Sequence, residues 1–405
     1  MTVSVVMYKR LELSNTEIAL YTSWLYLPWV IKPLWSPIVD ILRTKRLWII
    51  VMQLAIGAGL AGVALTLPAE NYVRWSLVFL WLIAFSSATH DIAADGFYML
   101  GLSDTNQAWF VGVRSTFYRI AMITGQGILV MVAGRLETGL GDVRAAWTVT
   151  FGIMAALFAL FTLYHRIMLP RPATDVPTAS RSVGEVVSDF AETFVSFFRK
   201  KHIGLILAFL LLYRFSEAQL AKMASPFLLD GAAAGGLGLT TSEVGFVYGT
   251  VGVVALTLGG LLGGFAASKH GLKYWLWWFA VAINLPNVVY VGLSIFRPES
   301  MWAVNGAVAV EQFGYGFGFT AYLLYMIYVA QGPRKTAHYA ICTGFMALGM
   351  MIPGMISGWI QEMLGYTNFF IWILIATIPG FIVTGLIPVD PEFGKGREES
   401  AESES

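Results

Sequence analysis

Cysteine occurs once in the 405 residues, at Cys342, which excludes an intramolecular disulfide and any cysteine-based zinc site. Charge is also scarce. Asp, Glu, Lys and Arg together make up 13% of the chain, against about 25% in a typical soluble domain. With a net charge of +1 there is no surplus of Lys and Arg to neutralise phosphates, so nucleic acid is excluded as a partner. The five histidines form no His-Glu-x-x-His or comparable spacing and no Gly-x-Ser-x-Gly elbow is present, so no metal, cofactor or catalytic chemistry is expected. Gly57-Ala-Gly59-Leu-Ala-Gly62 matches a dinucleotide fingerprint, but no strand precedes it and no acid follows at the required distance. Small residues that let helices approach closely are the better account of it.

What the chain has in abundance is apolar length: 57% of its residues are hydrophobic. A helix crosses a hydrocarbon core with about 20 such residues, satisfying its backbone internally because lipid offers no hydrogen bonds. Eleven stretches qualify, at 16–39, 48–67, 75–100, 107–134, 145–167, 203–229, 243–268, 274–296, 301–330, 338–363 and 367–388. Ahead of them, the apolar octet 1–8 followed by Lys9 and Arg10 reads as the outer part of a largely truncated first span, for twelve in all. Basic residues gather in the loops 43–46, 166–171, 199–201 and 269–273 and thin out in the alternate loops, which places the former set in the cytoplasm.

The Pro- and Ser-rich connection 168–202 divides the chain into helical bundles at 1–167 and 203–388, with a disordered acidic tail at 389–405. A weak repeat relates the halves: Pro37 to Arg46 and Gly263 to Lys273 each place a turn-forming residue at a helix end before a compact basic loop. The fold class expected is an all-α integral membrane protein with the major facilitator fold, two six-helix bundles around a midplane site.

Ionisable residues inside spans cost roughly 2.5 to 3.5 kcal/mol each at the bilayer centre, so each needs a partner, a wet cavity or a role. Asp91 and Asp95 are four apart on one helical face, where two carboxylates favour sharing a proton; the alternative is that they neutralise Arg114 or Arg119 of the next span. Arg214 and Glu217 are three apart in the seventh span, either a local pair or a cavity group for an anionic substrate. Lys222, nearer the outer end, is expected to snorkel. Glu311-Gln312 precedes Gly314, Gly316 and Gly318, which suggests a loosened helix at a substrate site or gating bend, with close packing as the alternative. Lys32, between Pro28 and Pro33, is a candidate for a cavity or gating role together with Arg114, Arg119 and Asp40.

At Ala88-Thr-His-Asp-Ile-Ala-Ala-Asp-Gly96 the fourth span resembles the signature of AmpG-type muropeptide permeases and the related acetyl-CoA transporters. Gly316 to Met326, Thr336 to Ala340, Gly354 to Trp359, and Leu27 to Pro37 followed by Asp40 are similar to the same family, so the likeness covers nearly the whole chain. His90 stands where the family usually has Gln. The resemblance implies a twelve-helix facilitator of the bacterial inner membrane whose first, fourth, seventh and tenth spans line a central cavity. Its implied activity is proton-coupled import of anhydromuropeptides. The partners expected are a small-molecule substrate, protons and the bilayer, with the chain acting as a monomer; Asp91 and Asp95 would carry the proton, and Arg214, Glu217, Glu311 and Gln312 would bind substrate. Acyl-CoA, peptides or drugs are alternative cargoes, and an enzyme of lipid-linked cell-wall intermediates is an alternative class.

Overall fold

The computed structural model describes residues 2–101, 104–176 and 183–395, and it is helical almost throughout. The first half comprises α1 Thr2–Arg10, α2 Asn15–Trp24, α3 Leu27–Leu42, α4 Lys45–Thr66, α5 Tyr72–Gly101, α6 Asp104–Met122, α7 Leu129–Leu140 and α8 Val143–Met168. After α9 Val183–Phe198 come α10 Ile203–Leu212, α11 Phe215–Leu229, α12 Thr241–Phe246, α13 Val253–Asn284, α14 Val288–Phe296, α15 Met301–Ala330, α16 Lys335–Ile375 and α17 Ile378–Leu386. This is the major facilitator fold.

Helix starts follow local chemistry. Ser14 with Glu17, and Thr240 with Glu243, form reciprocal capping boxes on α2 and α12, satisfying donors that a helix leaves free at its start. Asp142 caps α8 in the same sense. Two long helical runs reverse at glycines with positive φ, Gly271 at 81° and Gly365 at 72°, a backbone region that L side chains resist. The runs Thr241–Phe296 and Lys335–Leu386 therefore each cross twice.

Several spans are broken within their length. The second span parts between α2 and α3 at residues 25–26, just before Pro28, and the seventh between α10 and α11 at Tyr213 and Arg214. Leu285-Pro286-Asn287 forms a 3-10 turn in the ninth, since Pro286 cannot donate in the ladder. The fifth and eighth spans each contain a π-helical segment, Ile123–Ile128 and Val247–Gly252. By contrast, the tenth span is one unbroken helix, α15. Its glycines serve packing, not bending. A Cβ on Gly316 would lie 2.0 Å from the Leu256 carbonyl, and one on Gly318 2.4 Å from that of Phe279.

Other expectations need adjustment too. Within the connection 168–202, residues 183–198 form α9, whose Phe197 is buried in the core of the second half. Phe393, expected in a solvated tail, is placed: its carbonyl accepts from Leu272 N at 2.9 Å and its ring meets Tyr328. Residues 177–182 and 396–405 lie outside the described set. α1 is packed inside the bundle against α2 and α11, with Val5 to Tyr8 buried and the Tyr8 hydroxyl 2.7 Å from Ser76 Oγ.

Because α15 and α13 meet backbone to backbone, adding a methyl group at Gly316 should cost about 1–3 kcal/mol by overpacking. Gly316→Ala is expected to lower the Tm of the detergent-solubilised protein, and an unchanged Tm would contradict this packing.

Candidate functional site

The seventh span opens at its centre, and the break decides what its charges do. Arg214 opens the second segment as the N-cap of α11, with non-helical φ and ψ, and it is 6% exposed. Its Nη2 donates to the Tyr315 hydroxyl at 2.5 Å, and the guanidinium lies over the rings of Phe319 at 4.6 Å, Tyr315 at 5.1 Å and Tyr322 at 6.0 Å. A planar cation held over aromatic faces is weakly hydrated and keeps its fork for carboxylate or phosphate. Arg214 Nε has no partner. Tyr26 of the first half is within electrostatic reach of the same guanidinium, and Tyr118 of α6 within reach of Tyr26 and Tyr315. Arg214 therefore looks across the interface between the halves.

Glu217 and Glu311 lie deeper in the second half, both almost fully buried. The local Arg214–Glu217 pair does not form: the guanidinium is engaged by Tyr315, and neither Glu217 oxygen has a hydrogen-bond partner. Gln312 Nε2 donates to Glu311 at 3.0 Å and reaches the Tyr248 hydroxyl at 3.5 Å. Arg214, Glu217, Glu311 and Gln312 thus form one buried set.

The acids of the fourth span form a different set. Lys32 Nζ is 2.5 Å from Asp91 Oδ2, and Arg114 pairs with Asp95. The two aspartates do not bond each other, and both side chains are 43% exposed. Arg119 is over Tyr118 at 5.8 Å, with Nη1 3.9 Å from Met122 Sδ and no acid partner among the described residues. Asp40 lies in the last turn of α3, and its side chain is outside the described residues. No hydrogen bond or ion pair between described side chains joins the first set to the second.

Lys222 does not snorkel. It is buried, donates to Thr22 Oγ1 at 2.9 Å and faces the Tyr26 ring at 5.6 Å, bridging the halves. Sequence reasoning also passed over Tyr315, Tyr248, Tyr290 and Asn287. Two asparagines three apart around Pro286, in the middle of a span, were the available signal for the last.

The remaining polar links between the halves lie toward the ends opposite the basic loops. Lys9 is 2.7 Å from Asp230, whose other oxygen accepts from the Tyr366 hydroxyl at 2.6 Å. Arg10 donates to Glu137 at 3.1 Å, and Glu137 also accepts from Thr241 at 2.7 Å and Trp147 at 2.8 Å. Asn15 donates to Gln361 at 2.6 Å, and Thr16 to Glu362. Between described side chains, no such bond joins the basic ends. With the basic loops in the cytoplasm, this polar seam lies on the outer side.

Several comparisons bear on this geometry. The family model described as the BT1 family matches residues 1–290. The chain is 25% identical over 360 residues to the anhydromuropeptide permease of Escherichia coli (strain K12), covering 88% of this chain and 69% of that one. It is 23% identical to the putative transporter AmpG 4 of Rickettsia conorii, covering 92% and 89%. Among solved structures, a bacterial homologue of the human lysosomal transporter Spinster, inward-facing and occupied, superposes with a TM-score of 0.64 at 16% identity, covering 95% and 93%. The nucleoside transporter NupG gives 0.63 at 16%, covering 95% of each chain.

Removing the acid at the centre of the outer seam, as in Glu137→Ala, leaves Arg10 and Thr241 without their acceptor and should favour opening of that seam. Measured in a Cys342→Ser background, a probe cysteine at Ser23 is expected to react faster with an impermeant maleimide from outside. Equal rates would show that the seam does not depend on Glu137.

Proposed function

The chain belongs to the BT1 family, and from that premise we propose that it is a proton-coupled importer of anhydromuropeptides in the bacterial inner membrane, acting as a monomeric carrier and not an enzyme. The observation that carries this reading is the outer polar seam. Two halves held by polar bonds at one end, around a buried guanidinium that faces the interface, form one of the two states that alternating access requires.

The chemistry of the cargo suits the site. An anhydromuropeptide presents sugar rings and the carboxylates of a short peptide. Arg214 supplies a fork for one carboxylate, and its aromatic surround supplies faces for a ring. Lys222 supplies a second buried cation between the halves. We assign the Lys32–Asp91 and Arg114–Asp95 pairs to the wall of the path toward the cytoplasm, where their half-exposed side chains rearrange at little cost when the basic ends close. The names of the relatives support the cargo, and the polar seam on the outer side supports an inward-facing carrier.

Uptake of a labelled anhydromuropeptide into vesicles containing the protein, driven by an imposed proton gradient, tests this. Accumulation that collapses with an uncoupler is expected. Arg214→Lys keeps the charge but loses the fork, so the apparent affinity should fall at least about tenfold, the size of one lost charged hydrogen bond. No uptake by the wild type would refute the cargo, and full affinity in Arg214→Lys would refute the role of the guanidinium.

A further inference from the structure

Among the described residues, Glu217 is the charged side chain with the fewest partners for its burial. It is 1% exposed, and both of its carboxyl oxygens are without a hydrogen-bond partner. A bare carboxylate in such a place is costly unless paired, and removing its charge is the usual remedy. The groups whose charge acts on it come from several elements: Arg214 on its own helix and Glu311 on α15, Tyr315 also on α15, Tyr248 in the π segment and Tyr290 on α14. Lys222 shares α11 but directs its amine to Thr22.

Two further observations mark this cluster as built for a small guest. The Tyr290 hydroxyl is fully buried and unpartnered, yet within electrostatic reach of both Glu217 and Glu311. Asn287, three residues before it, is also buried with both amide atoms unpartnered. With both glutamates ionised, the cluster holds two negative charges against the single positive charge of Arg214. One added proton balances it. Asp91 and Asp95, in contrast, each already have a cation at bridging distance, so their charge is balanced without one.

We propose that Glu217 and Glu311, not Asp91 and Asp95, form the site of the coupling proton, which resides on Glu217 while substrate is bound. This rests on the proton-coupled reading above. The coupling is a competition for Arg214. A proton entering from outside bonds to a Glu217 oxygen and removes its charge, and Arg214 is then free to hold the substrate carboxylate. When the inner side is open, the O–H bond breaks and the proton leaves to cytoplasmic water. The restored Glu217 carboxylate, three residues from Arg214 on the same side of the chain, draws the guanidinium away, and the substrate anion is released. One proton enters with each substrate.

Glu217→Gln and Glu311→Gln, each nearly isosteric, test the assignment in reconstituted vesicles with a labelled anhydromuropeptide. Glu217→Gln is expected to lose gradient-driven accumulation by about tenfold or more, the range of coupling between linked sites. Infrared difference spectra of the wild type on a pH jump should show the band of a protonated carboxyl, lost in the Glu217→Gln, Glu311→Gln double variant. Wild-type accumulation in both single variants, or a band that persists unchanged in the double variant, would overturn the proposal. If the wild type transports no anhydromuropeptide, the cargo assignment fails by itself. The infrared band, which needs no substrate, then decides the proton site alone.

Discussion

Hydrocarbon offers neither hydrogen bonds nor counter-ions, and most of this structure answers that constraint. Backbone groups are closed within helices, and the helices approach so tightly that glycines such as Gly316 meet neighbouring carbonyls directly. Where a span is interrupted, polar groups gather. The opening at Tyr213 and Arg214 sets a guanidinium among aromatic rings, and the 3-10 turn at Leu285–Asn287 brings Asn287 inside. Irregular backbone at membrane depth is tolerated where it lines something other than lipid.

The two halves meet this constraint differently. The first carries the acids of its fourth span, Asp91 and Asp95, in partly exposed pairs with Lys32 and Arg114, charge matched to charge. The second buries Arg214, Glu217 and Glu311 with fewer partners than they have bonding sites. A fully matched pair is stable but inert. An incompletely satisfied cluster keeps a preference for a guest and holds free energy that a guest can release.

The crossings were legible because apolar length is a strong, local signal that needs no knowledge of neighbours, and the resemblance at Ala88 to Gly96 pointed to the architecture now seen. Partners were not legible. Lys32 and Asp91 are 59 positions apart, and nothing in either segment announces their bond. The glycines after Gln312 carry identical sequence meaning whether they bend a helix or seat it against another; only the position of α13 decides between them. Lys222 looked peripheral from its place along the span, yet α2 crosses there with Thr22 as acceptor. Pro28 in the first turn of α3 marks the break at residues 25–26, but no glycine or proline lies near 213–214, so local propensity was silent about that one.

The two π-helical segments face each other across the seam, so close that a Cβ on Gly249 would stand 2.0 Å from the Gln126 carbonyl. Each π turn accommodates a surplus residue through i to i+5 bonding. Moving that surplus along a helix exchanges one bonding pattern for another without exposing backbone to lipid, and every side chain it passes swings by about 100°. At the crossing point, the two π turns are therefore where the fifth and eighth spans each hold a residue in reserve.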